Sequence, residues 1–167
     1  LDSLESSAGP LDRAQFTAMG HDTDVWLKRM RMGRNLFINY GHAFTHWWET
    51  YGKDHPEWFA LTAERGVRGP LSDRTADRVK LCVSEPTLWD EIIKQWLVRR
   101  EQNATVYQTL NGCENDGGGF CTCERCRSWD VPDYTSTNDS GEQEVILSDR
   151  YCRFWNELAQ RARQVDP

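Results

Sequence analysis

The chain has 167 residues, 38% of them hydrophobic and eight of them tryptophan, which is enough apolar material for one domain with a packed core and argues against disorder. Its 20 basic and 26 acidic residues leave a net charge of -6, the wrong sign for neutralising phosphates, so no nucleic-acid partner is expected. Mean hydropathy is -0.74, and no apolar run approaches the ~20 residues that span a bilayer, so no membrane span is expected either.

Residues 1–20 read as a polar lead-in, with Ser6, Ser7, Gly9 and Pro10 near its start. There is no initiating Met and no signal-like apolar core, and the chain stops at Val165-Asp166-Pro167, just after a helical pattern. A piece of a larger polypeptide is therefore expected, with residues 21–167 as its domain.

From His21 to Gly33 the pattern is helical, with Asp22 or Asp24 as cap and Trp26 and Met30 on one stripe. The basic stretch Lys28 to Arg34 is interleaved with apolar residues and reads as a solvated helix face. Asn35 to Tyr40 is a short apolar run of strand type closed by Gly41-His42, an αβ step. Six aromatics then fall within the sixteen positions from Phe44 to Phe59.

Val79 to Val83 reads as a second, weak strand, followed by Ser84 as cap and Pro86 as first residue of a helix to about Arg100, with Leu88, Ile92, Ile93, Trp96 and Leu97 on its buried face. Ala104 to Leu110, β-branched and aromatic, gives the clearest strand signal and leads into the Gly- and Cys-rich segment 112–126. After a polar stretch, Leu147, Tyr151, Phe154, Leu158 and Ala162 mark a last helix, with Arg150, Arg153, Arg161 and Arg163 expected on its exposed side. The expected fold class is α/β: a partial (β/α)8 TIM-barrel-like segment with parallel strands and long decorated βα loops, since a whole barrel typically needs about 250 residues.

Cys121-x-Cys123-x-x-Cys126 can aim three sulfurs at one centre. A closed tetrahedral site needs a fourth ligand. Cys113 is the nearest in sequence, and Cys82, Cys152, Asp116 and His42 are alternatives. A structural zinc ion on Cys113, Cys121, Cys123 and Cys126 is the favoured reading, with disulfides or free thiols as alternatives; no organic cofactor is expected. Clustered thiols with no neighbouring His argue against a nucleophilic cysteine, and Gly117-Gly118-Gly119 lacks the Lys-Ser/Thr of a phosphate loop.

Gly41-His42, the run His55 to Leu61, the run Leu81 to Pro86, and Asn115-Asp116-Gly117 ahead of the cysteine motif resemble, in that order, a bacterial domain of unknown function grouped with the barrel glycoside hydrolases. The resemblance covers roughly residues 22–166. It implies a segment of a (β/α)8 domain acting on a carbohydrate substrate, within a large secreted, periplasmic or cell-envelope protein, and hydrolysis of O-glycosyl bonds as the reaction.

Such hydrolysis needs two carboxyls about 5 to 10 Å apart. Glu114 and Asp116 are the candidate pair, with Asp116 preferred because it matches the family's Asn-Asp-Gly element; the alternative for Asp116 is a turn residue bonded to its own loop. His42, His46, Trp47 and Asn115 are the candidate substrate-binding residues: the histidines as hydrogen-bonding groups at the expected active face, and the indole as a platform for a pyranose ring. The rival reading is a non-catalytic carbohydrate-binding or structural domain whose cysteines only hold the fold.

Overall fold

In the computed structural model, residues 12–30, 39–63, 66–70, 76–138 and 140–166 are described. The chain divides into two units, Leu1–Phe37 and Ile38–Pro167.

The described part of the first unit is one helix, α1 (Arg13–Arg29). It starts eight residues before the expected point because Asp12 and Gln15 form a reciprocal capping box: the Gln15 N–H donates to Asp12 Oδ1 and the Asp12 N–H to Gln15 Oε1, both at 2.8 Å. Asp22 and Asp24 are therefore interior positions of α1 and not its caps. The expected helix end at Gly33 and residues 35–38 of the expected first strand lie outside the described residues, while Asn39 and Tyr40 carry no strand.

The second unit contains α2 (Trp47–Tyr51), single 3-10 turns at Pro56–Trp58 and Ala76–Arg78, α3 (Pro86–Gln102), α4 (Glu124–Arg127), strands β1 (Thr135–Thr137) and β2 (Gln143–Val145), and α5 (Ser148–Val165). The aromatic run folds inward: Phe44, Trp47, Trp58 and Phe59 are all buried, and they join Leu88, Trp89 and Ile92 of α3 and Phe154 and Leu158 of α5 in one core. Helices α3 and α5 pack on each other, as their apolar stripes require. Their outer seam is closed by cations on rings: Arg161 lies 4.4 Å from the Trp89 ring and Arg153 4.6 Å from Trp129, with Trp89 and Trp129 stacked between.

The α/β barrel expectation is overturned. Among the described residues no two strands run parallel, and the one sheet is the two-stranded antiparallel hairpin β1-β2, with Thr135 opposite Val145 and every strand residue exposed. The reason lies in where backbone groups find partners. Segment 79–83 is extended and buried, yet it makes only an isolated antiparallel bridge, Leu81 with Phe59; the Leu81 N–H goes to a Glu114 carboxylate oxygen at 2.6 Å instead of to a neighbouring strand. Segment 104–110 is turned at its start because Asn103 captures its amides, the Val106 N–H through Oδ1 at 3.2 Å and the Tyr107 N–H through the carbonyl at 3.0 Å. A β-branched run without a ladder partner does not become a strand.

Two smaller expectations also change. Glu85, not Ser84, caps α3, accepting the Thr87 N–H at 3.4 Å with Pro86 as first helical residue. Arg150 is not on an exposed face: it is buried and forked onto Asp130, with Nε to Oδ1 at 2.8 Å, while Nη1 donates to the Cys121 carbonyl at 2.7 Å.

Candidate functional site

The short helix α4 builds half of a sulfur centre. Cys123 is its N-cap, with Sγ accepting the Cys126 N–H at 3.5 Å, so the first turn folds Cys126 back toward Cys123. Cys121 enters from the preceding loop, held by the Leu61 N–H to its Sγ at 3.3 Å, and Thr122 fixes that loop through N–H and Oγ1 bonds to the Leu61 carbonyl, both at 2.8 Å. The fourth sulfur comes from the extended segment 79–83. Cys82 Sγ lies 3.6 Å from Cys123 Sγ and 3.8 Å from Cys126 Sγ, and all four sulfurs fall within 4.8 Å of one another.

A tetrahedron with metal–sulfur bonds of about 2.3 Å has sulfur–sulfur edges of about 3.8 Å. The 3.6 and 3.8 Å separations match such edges and are far beyond the covalent sulfur–sulfur length of about 2.05 Å. The four cysteines could therefore hold a metal ion. Cys113, the ligand expected from sequence proximity, is not among them: it is exposed, and its thiol points to the Glu114 carbonyl at 3.6 Å. Cys152 is exposed as well.

Shared hydrogen bonds make the buried thiols unequal. Hydrogen bonds from the Cys126 and Cys82 thiols, helped by the Cys123 and Leu61 amides, pull the Cys121 thiol down to about 3, while the same sharing pushes Cys126 up. Ser84 Oγ sits 3.1 Å from Cys126 Sγ. Burial works against the Arg68 charge, yet its hydrogen bond to the Cys82 sulfur and the fields of Cys82, Cys121 and Cys123 hold it above its ordinary value. Arg68 is in turn fixed by the carbonyls of Glu57, at 3.2 Å, and Phe59. Neither Ser84 nor Arg68 carries a motif that sequence reading could have used.

In the residues leading into the centre, Glu114 and Asn115 turn inward between the exposed Cys113 and Asp116. Glu114 turns inward, its side chain only 6% exposed, and its carboxylate receives the Leu81 N–H and the Tyr151 hydroxyl, with Lys80 Nζ at 3.9 Å. Burial drives this carboxyl above the ordinary carboxylate range; Lys80, Tyr151 and the Leu81 amide pull it back without offsetting the desolvation. Lys80 also donates to the Asn115 carbonyl and lies 4.7 Å from the Phe120 ring. Above this group opens a concavity of about 440 Å³ walled by Phe120, Tyr151 and Trp155, with Glu114 and Lys80 in its lining. A lysine inside the apolar run 79–83 was the one sequence signal that could have marked this place.

The other expected site residues are placed as follows. Asp116 is 84% exposed and 3.3 Å from His42 Nε2, while His42 Nδ1 contacts the Glu114 carbonyl at 3.0 Å. Asn115 is buried, and its amide donates to the Phe44 and Val79 carbonyls at 3.3 and 3.1 Å, so it ties three segments together. Trp47 is buried edge-on to Phe44, with ring centroids 5.1 Å apart, and His46 is exposed beside Glu49 at 3.9 Å. The structure thus unites Glu114 with Lys80 and Tyr151, and pairs Asp116 with His42 outside that concavity.

A family model described as "Domain of unknown function (DUF4838)" matches residues 13–167. No curated protein and no solved structure matches the chain.

Proposed function

This chain belongs to the DUF4838 family, and from that premise we propose a glycan-acting domain whose reaction is hydrolysis of O-glycosyl bonds, with Glu114 as proton donor. The observation that carries the reading is a buried carboxyl, held above its usual range, in the lining of an open concavity with three aromatic walls. A carboxyl that keeps its proton to higher pH is what leaving-group protonation requires, and aromatic faces stack on the apolar faces of pyranose rings. Tyr151 and the Leu81 amide fix its orientation.

In the same reading Cys82, Cys121, Cys123 and Cys126 hold a zinc ion. Four thiolates close the coordination shell, so the ion's part is structural: it fastens the loop carrying Glu114 to the segment carrying Lys80 and Leu81.

The test is a glycan panel assayed with the full-length protein, Glu114→Gln and Asp116→Asn. Loss of turnover in Glu114→Gln, with Asp116→Asn still active, is expected; unchanged turnover in Glu114→Gln removes Glu114 from the chemistry. A non-catalytic, carbohydrate-binding reading is favoured by one specific observation. Among the described residues, Glu114 is the single carboxyl lining the concavity, whereas glycosidases use two. Glycan binding without turnover in the wild-type protein would establish that alternative.

A further inference from the structure

A second concave region, which shares no lining residue with the Glu114 concavity, lies where the start of the second unit meets α3. It consists of two adjoining hollows of about 270 and 420 Å³ that share His42, Trp47, Gln95 and Arg99. In a chain with 26 acidic residues, no Asp or Glu among the described residues lines either hollow. The histidines already face carboxylates outside the lining, His42 toward Asp116 and His46 toward Glu49. Arg99 is left as the permanent charge.

Its neighbour shows the contrast. Arg100 is bonded to Asp166 and lies 5.3 Å from the Trp96 ring, and the nearby Glu91 is occupied by Lys94, Gln95 and Tyr51. Arg99 has no side-chain hydrogen bond or ion pair among the described residues, and it lines both hollows. Thr109 lines the smaller one, and its hydroxyl oxygen is buried without a hydrogen-bond partner among the described residues. Trp96 donates its N–H to the Tyr107 carbonyl at 3.0 Å, and it and Trp47, both buried, form the apolar floor of the hollow.

We propose that this cleft binds a small ring-bearing carboxylate. The guanidinium of Arg99 supplies a planar fork that matches a carboxylate, and the buried indoles of Trp47 and Trp96 supply an apolar floor for the ring. At about 30 Å³ per water molecule, the smaller hollow has room for about nine waters, the size of one substituted six-membered ring. The site is independent of the Glu114 concavity and does not rest on the hydrolase reading.

Isothermal titration of the full-length protein with galacturonate, galactose and inorganic phosphate tests it. Galacturonate binds at least tenfold more tightly than galactose, and Arg99→Ala reduces it to the galactose level without lowering the melting temperature, because Arg99 is exposed and unpaired. Thr109→Val, which keeps the shape and removes a hydroxyl buried away from the hollow, leaves galacturonate binding unchanged and serves as the control. Equal affinity for the two sugars, unaltered binding in Arg99→Ala, or phosphate competing as well as galacturonate would overturn the proposal. So would loss of galacturonate binding in Glu114→Gln, which would move the ligand to the other concavity.

Discussion

Replacing Cys82 by Ser, beside Cys113→Ser as control, decides which residue completes the sulfur centre. An ion that binds only the folded chain, at a free concentration a thousand times its dissociation constant, stabilises by about 4.1 kcal/mol. Unfolding entropy near 2.1 cal/mol/K per residue, taken over the unit 38–167, amounts to about 0.27 kcal/mol/K, so chelation should lower the melting temperature by about 15 °C. Losing one of four thiolates weakens binding at least a hundredfold, or about 2.7 kcal/mol, which corresponds to about 10 °C. Thermal melts in zinc-buffered solution, with elemental analysis of the purified protein, read both quantities. Wild type and Cys113→Ser should carry one zinc per chain and melt together, with Cys82→Ser about 10 °C lower and losing no more than about 5 °C on chelation. The reasoning fails if Cys113→Ser loses zinc as fully as Cys82→Ser, or if chelation leaves the wild-type melt in place.

Because Glu114 keeps its proton to higher pH when folded than when unfolded, the native state binds more protons in the interval just above the ordinary carboxylate value, and stability falls as pH rises through it. Urea midpoints measured across that interval should decline in the wild type and stay flatter in Glu114→Gln; equal slopes would show that burial does not govern this carboxyl. Arg150→Met strands Asp130, whose side chain is 13% exposed, without its cation and should cost about 3–5 kcal/mol in urea unfolding, whereas a loss under about 1 kcal/mol would mark the pair as solvent-screened. Gly69→Ala adds a Cβ at φ +117° that would stand 2.6 Å from the Trp48 ring, and should destabilise by about 1–3 kcal/mol. Gly20→Ala, inside α1 with nothing within 4 Å of the new carbon, should instead raise the helicity seen by circular dichroism.

Helices α3 and α5 were legible because their apolar residues recur at helical spacing and the same residues are buried: Leu88, Ile92, Ile93 and Trp96 in one, Phe154 and Leu158 in the other. The strands were misread for a physical reason. Residue type reports that a segment tolerates an extended backbone, but a ladder depends on a partner that periodicity cannot name. Segment 79–83 finds one bridge, Leu81 with Phe59, and no ladder; segment 104–110 is turned at its start by Asn103. Within the site, the motif Cys121-x-Cys123-x-x-Cys126 was readable because α4 keeps it local. The fourth ligand was not, since proximity in sequence favoured Cys113, whereas the inward turn of Glu114 and Asn115 leaves Cys113 outside. Arg150 misled through its stripe: the exposed side of α5 ends where Asp130 and the Cys121 carbonyl reach it.

The position of Cys82 also constrains the order of events in folding. It lies 39 positions before Cys121, and the whole of α3 falls inside that span. The motif at 121–126 brings three of the four sulfurs together locally, whereas closing onto Cys82 is a long-range step that brings α3 with it. In the proposed zinc-bound form, metal supply would therefore govern how fast the chain reaches its final form as well as how firmly it stays there.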